Sequence, residues 1–129
     1  MHLPELTSIA ITSKPFNGLH IIANLASAEV DLLKDFKPLQ TFLNQLIAEN
    51  NLKKVGEVYH SFPNAGYTAV IGLTESHLSI HTWPELEYIT FDIFVSNYLK
   101  DNTHVTRHVY EETKKYFKAQ AVFEQMIDR

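Results

Sequence analysis

Apolar positions along this chain follow two periods, and the switch between them predicts the elements. Gly18 to Leu25 (GLHIIANL) reads as a strand on its β-branched pair Ile21–Ile22, and Ser27 breaks the run. Residues 27–37 form an acidic connection with room for one short helical turn. Leu39, Phe42, Leu43, Leu46 and Ile47 then recur at i, i+3, i+4, i+7 and i+8, the buried stripe of a helix. Pro38 suits its first turn, where a missing N–H costs nothing, and Asn50–Asn51 suit its C-terminal cap. Strands are predicted over Lys54–Phe62, Tyr67–Thr74 and His77–Thr82, punctuated by Pro63–Gly66 and Glu75–Ser76. Tyr88–Val95 alternates as a further strand, with Ile89, Phe91, Ile93 and Val95 on one face and Tyr88, Thr90, Asp92 and Phe94 on the other.

Asn102 or Thr103 can cap a second helix with Val105, Val109, Tyr116 and Phe117 on its apolar side, and AVFEQMI reads as a closing strand. Residues 1–16 show no period and read as an arm that could pack on a partner chain. The order β-α-β-β-β-β-α-β predicts a single α+β domain over residues 1–129. It is a two-layer sandwich, a mainly antiparallel sheet with two helices on one face.

Composition narrows the function classes. At 129 residues with 45% apolar and 20% charged side chains, the chain reads as globular. A net charge of -4 and the lack of a basic run argue against a nucleic-acid partner. With no cysteine, disulfides, thiolate metal sites and cysteine nucleophiles are excluded. The apolar runs fall short of the ~20 residues of a membrane span, and MHLPELTSIA lacks the layout of a secretory signal, so a cytoplasmic location is expected.

The chemically informative stretch is Thr74–Glu85, TESHLSIHTWPE. On a strand, Leu78 and Ile80 face one side while His77, Ser79 and His81 face the other. That second face either lines a site or is covered by another subunit. His77 and His81 carry metal-pair spacing only on a helix; on a strand they stand about 13 Å apart, too far to share an ion bonded at about 2 Å. His104 and His108 do have helical spacing, beside Glu111 and Glu112, and read as a solvated helix face. No metal site is expected.

TESHLSIHTWPE closely resembles the self-cleavage segment of bacterial and archaeal S-adenosylmethionine decarboxylases. The resemblance extends upstream to Tyr59-His60-Ser61-Phe62 and Gly66-Tyr67-Thr68-Ala69, and downstream to Tyr88–Phe94. It implies that the Glu75–Ser76 bond breaks, giving chains 1–75 and 76–129. The Ser76 hydroxyl attacks the Glu75 carbonyl carbon, the amide becomes an ester, and elimination followed by hydrolysis with loss of ammonia leaves a pyruvoyl group as the cofactor. That group condenses with the substrate amine and withdraws electrons as the carboxylate leaves. A serine hydroxyl needs such assistance because it is a weak nucleophile.

The resemblance also assigns roles. Thr68 stands where the family has a processing serine, and His81 is the base for elimination, histidine being the side chain that exchanges protons near neutrality. Phe62 stacks on the adenine and Glu85 accepts hydrogen bonds from the ribose. Read from the residues alone, the plain alternatives are an ordinary strand residue for Thr68, core side chains for His81 and Phe62, and a surface carboxylate for Glu85; only for Thr68 does the plain reading weigh as much as the functional one. Ser96 stands where the family places a proton-donating cysteine, and Asn24 where it places a substrate-binding glutamate. These departures leave two alternatives beside S-adenosylmethionine decarboxylation in spermidine synthesis. One is a pyruvoyl-dependent decarboxylase of ornithine or arginine; the other is an uncleaved homologue acting as a binding or regulatory subunit. The resemblance further implies a homodimer with paired sheets, acting on a small molecule and with no nucleic-acid or membrane partner.

Overall fold

The structure, a computed structural model, describes residues 17–129; the reading of residues 1–16 as an arm lies outside them. Strands β1 (Gly18–Ala26), β2 (Lys54–Ser61), β3 (Tyr67–Leu73), β4 (Ser76–Trp83), β5 (Tyr88–Ser96) and β6 (Gln120–Asp128) form one sheet. Their order is β2-β3-β4-β5-β1-β6 and every pairing is antiparallel. Helices α1 (Val30–Lys34), α2 (Lys37–Glu49) and α3 (Thr103–Phe117) join them. The α+β two-layer architecture expected from the sequence is the one found.

Alternation builds the core. Leu19, Ile21, Ala23 and Leu25 of β1, Leu78 and Ile80 of β4, and Ile89, Phe91, Ile93 and Val95 of β5 are all buried and share one face of the sheet. Leu39, Leu43, Leu46 and Ile47 of α2 close over them, as the helical stripe requires. Phe42 lies at the flank of that stripe and stacks on Tyr116, ring centroids 4.8 Å apart. The opposite face, carried by His20, Asn24, Thr68, His77, Ser79, His81, Thr90, Asp92 and Phe94, is only half buried.

Two local expectations need correction. Asn102 does occupy the N-cap position of α3, but its side chain makes no cap bond; its amide instead donates to the Ser96 carbonyl at 2.9 Å. The buried stripe of α3 is Thr106, Val109, Tyr110, Thr113 and Phe117, with Val105 and Tyr116 at its margins. The two threonines enter the core because each hydroxyl donates to the carbonyl four residues earlier, Asn102 O at 2.9 Å and Val109 O at 2.7 Å.

Candidate active site

The sequence places Thr68 and His81 thirteen residues apart, and the β3–β4 pairing sets them directly opposite each other. Both side chains rise from the half-buried face, and Thr68 Oγ1 lies 2.9 Å from His81 Nδ1. This contact fixes the imidazole through one nitrogen and leaves Nε2 to exchange a proton. The pair borders a cavity of about 460 Å³ that is also lined by Phe62, Gly66, Trp83 and Glu85. Phe62 is 48% exposed, so its ring is available to stack on a flat ligand. Glu85 arrives on a 3₁₀ turn, Pro84–Leu86, directly after β4.

The cavity wall is held from beneath. Buried Thr82 accepts a hydrogen bond from the Tyr67 amide at 2.9 Å and donates to the Leu33 carbonyl at 2.7 Å. Its backbone passes so close to Gly66 that an added Cβ would stand 2.7 Å from the Thr82 carbonyl carbon. Burial pushes the Tyr67 phenol well above its ordinary range, and that hydroxyl donates to Leu32 O at 3.0 Å. The tyrosine is therefore a neutral strut behind the cavity.

Ser76 lies at the other end of β4. The two-residue link Thr74–Glu75 carries the chain from β3 into β4, with Leu73 opposite Ser76. Glu75 takes the left-handed conformation, φ 58°, which costs a non-glycine residue about 1 kcal/mol or more. The Ser76 hydroxyl donates to Thr74 O and accepts from the Ser96 amide, each at 3.2 Å. Ser96 thus meets Ser76 through its backbone, while its own hydroxyl accepts from the Tyr98 amide at 3.0 Å. A hollow of about 310 Å³ beside this turn is lined by Asn17, Glu75, Phe94, Ser96 and Arg129.

Asn24 sits on β1, opposite Thr90 of β5 and Phe123 of β6. It shares a hollow of about 270 Å³ with Ser79, His81, Thr90, Asp92 and Phe123. The structure therefore gathers Phe62, Thr68, His81 and Glu85 around one cavity and brings Asn24 to its neighbour. It holds Glu75, Ser76 and Ser96 apart, five residues down β4, or roughly 17 Å. Trp83, Phe123 and Arg129 also line these hollows and were not singled out in the sequence. Parity along their strands places the first two, but no local signal marks Arg129.

A six-stranded antiparallel sheet backed by helices, with a hydroxyl–imidazole pair in a cavity and a serine at a strained hairpin, defines a class of two-layer α+β protein. The chain belongs to the S-adenosylmethionine decarboxylase family, whose model matches residues 19–129. The S-adenosylmethionine decarboxylase proenzyme of Archaeoglobus fulgidus is 38% identical over 77 residues, 60% of this chain and 69% of that protein. That of Picrophilus torridus is 36% identical over 77 residues, which span 59% of its length. That of Carboxydothermus hydrogenoformans is 33% identical over 95 residues, 74% of this chain and 75% of that protein. The crystal structure of the adenosylmethionine decarboxylase from Aquifex aeolicus has the same fold, with a TM-score of 0.71, 24% identity and 88% of each chain covered. No helix among the described residues is long and apolar enough to cross a membrane.

Proposed function

We propose that this chain processes itself at Glu75–Ser76 and, as a pyruvoyl enzyme, decarboxylates S-adenosylmethionine. The observation that carries the reading is the Thr68–His81 contact inside a cavity bounded by Phe62 and Glu85. A purine fits against the exposed Phe62 ring, and the Glu85 carboxylate suits a diol such as ribose.

The serine fits the precursor of a pyruvoyl group. Its hydroxyl is oriented by Thr74 O and the Ser96 amide, and the residue before it is in a strained conformation that cleavage relieves. In processing, the Ser76 oxygen bonds to the Glu75 carbonyl carbon as the Glu75–Ser76 amide bond breaks. The resulting ester is eliminated when a base removes the Cα proton of residue 76. His81 is suited to that base role, and Thr68 holds its ring. Once bound in the chain, the pyruvoyl group supplies the electron sink for loss of carbon dioxide. Phe62 and Glu85 orient the adenosyl end of the substrate. With no cysteine in the chain, the proton returned to the substrate carbon comes from Ser96, another side chain or water.

The roughly 17 Å between His81 and Ser76 along β4 also bears on assembly. Two sheets packed by their half-buried faces about a two-fold axis crossing mid-β4 would set His81 of one chain over Ser76 of the other. We therefore take the working unit to be a homodimer.

Intact mass of the purified protein tests processing. Two species corresponding to 1–75 and 76–129 are expected, and Ser76→Ala should leave a single mass. Carbon dioxide release from S-adenosylmethionine, set beside ornithine and arginine, tests the substrate. A persistent single mass, or release from an amino acid instead, would sink the corresponding part of the proposal.

A further inference from the structure

On the half-buried face, one strand pairing away from Phe94, three side chains converge that the decarboxylase reading does not use. His20 of β1 and His77 of β4 both stand opposite Phe94 of β5, one on each side, and Asp92 lies two residues along β5. His20 Nε2 is 2.7 Å and His77 Nε2 3.2 Å from the same atom, Asp92 Oδ1. The two imidazoles meet edge to face, centroids 5.9 Å apart. All three donor atoms lie within 4.8 Å of one another. Three adjacent strands of the sheet thus bring two nitrogens and one oxygen into one cluster.

We propose that His20, His77 and Asp92 form a binding site for one divalent transition-metal ion of the zinc type, and that the ion ties β1, β4 and β5 together. Two imidazoles and a carboxylate are the donor set that such ions take, leaving an open position for water. A hard ion such as Mg²⁺ or Ca²⁺ is disfavoured because only one donor residue is an oxygen ligand. Bonds of about 2.1 Å at tetrahedral angles put donor atoms about 3.4 Å apart, so His77, at 3.2 Å, stands close to that spacing from Asp92, and His20, at 2.7 Å, needs to withdraw by about 0.7 Å. The strands fix the backbones, so this movement falls to side-chain torsions. In the single chain the side chains are 16% (His20), 45% (His77) and 36% (Asp92) exposed, so an ion can reach them before the half-buried faces of two chains pair.

Without an ion, Asp92 accepts hydrogen bonds from ring N–H groups. With one, each coordinating Nε2 is proton-free, the neutral ring carrying its proton on Nδ1 instead. Protonation of a ring to imidazolium removes that ligand, so affinity should fall as pH is lowered. The spacing of His77 and His81 along one strand hides this group, because the partners of His77 lie across the sheet on β5 and β1.

The test is a titration of the full chain, stripped with chelator and then given Zn²⁺, followed by calorimetry and by thermal unfolding. The expected result is one ion per chain, a raised melting temperature, and affinity that weakens at lower pH. Asp92→Asn and the double variant His20→Gln/His77→Gln should each weaken binding by about tenfold or more. The double variant His104→Gln/His108→Gln, which removes the helical pair whose rings lie 6.5 Å apart, should bind as the parent does. Absence of stoichiometric binding to the parent chain overturns the proposal without reliance on any variant. So does loss of binding in the α3 variant alone. Co²⁺ in place of Zn²⁺ gives a second readout, a visible band expected to disappear in Asp92→Asn. None of these measurements depends on decarboxylation.

Discussion

At position 68 a hydroxyl does what the isosteric methyl of valine cannot, which is to hold His81 by its Nδ1 at 2.9 Å. The contact is a single, partly exposed hydroxyl–imidazole hydrogen bond, so its net worth is about 1 kcal/mol. If His81 acts as the base in processing, loss of that orientation should appear in rate and leave stability nearly unchanged. Thr68→Val is expected to slow the appearance of the 76–129 fragment by on the order of fivefold, while Thr68→Ser, which keeps the oxygen, stays near the parent rate. Following the mass of fresh protein over time gives both numbers. Equal rates for the three proteins would show that the hydroxyl plays no part.

Among the elements, the turn from β2 into β3 is the most constrained. Gly66 packs against the backbone and hydroxyl of Thr82, and its carbonyl accepts from the Phe62 amide at 2.9 Å. A Cβ there would push β3 from β4 where Tyr67, Thr82 and Leu33 are linked. Gly66→Ala should therefore cost about 1–3 kcal/mol, read as a lowered denaturation midpoint, and should also narrow the cavity holding Phe62 and His81. An unchanged midpoint would mean the strand ends give way freely. The strands themselves were legible in the sequence because each shows one apolar and one polar face, so Leu78 and Ile80 announce the core and His77 and His81 the opposite side. The α3 stripe was not, since Thr106 and Thr113 hide their hydroxyls in backbone bonds that composition does not reveal. Nor was the insertion of β1 between β5 and β6, a long-range pairing that no local pattern encodes. Of the candidate site, motif resemblance supplied the residues and β3–β4 register could have paired Thr68 with His81. The His20–Asp92–His77 group depended on the missing register of β1.

Across the whole molecule, the interface between sheet and helices is rich in phenols. Burial raises the pKa of Tyr59, Tyr67, Tyr110 and Tyr116 from the ordinary 10.0; for Tyr116, with the charge of Asp35 adding to burial, it is pushed up to about 12. A phenol raised in the folded state favours folding while it is neutral, so this stability is fully present below about pH 10. It declines as pH climbs toward and through about 12, by roughly 1.4 kcal/mol per pH unit for each tyrosine held neutral. Alkaline unfolding above pH 10 should therefore coincide with a cooperative rise in tyrosinate absorbance. Gradual ionisation without loss of ellipticity would contradict the account.

The separation of Ser76 from His81 makes a claim about assembly that a mixture can decide. If one chain supplied both groups, His81→Gln and Ser76→Ala chains would each stay uncut alone and uncut together. If the groups meet across a two-fold axis, a mixed dimer contains one complete set: Ser76 from the His81→Gln chain and His81 from the Ser76→Ala chain. Unfolding the two variants together and refolding them at equal concentration should place roughly half of the His81→Gln chains in mixed dimers, and that fraction alone should split before Ser76. The two masses differ, so the spectrum identifies which chain was cut. Cleavage of neither chain places both groups within one protomer and requires β4 to bend far from the strand seen here. Cleavage of the His81→Gln chain on its own removes His81 from the processing step, leaving Thr68 and the Ser96 amide as the groups that act on Ser76.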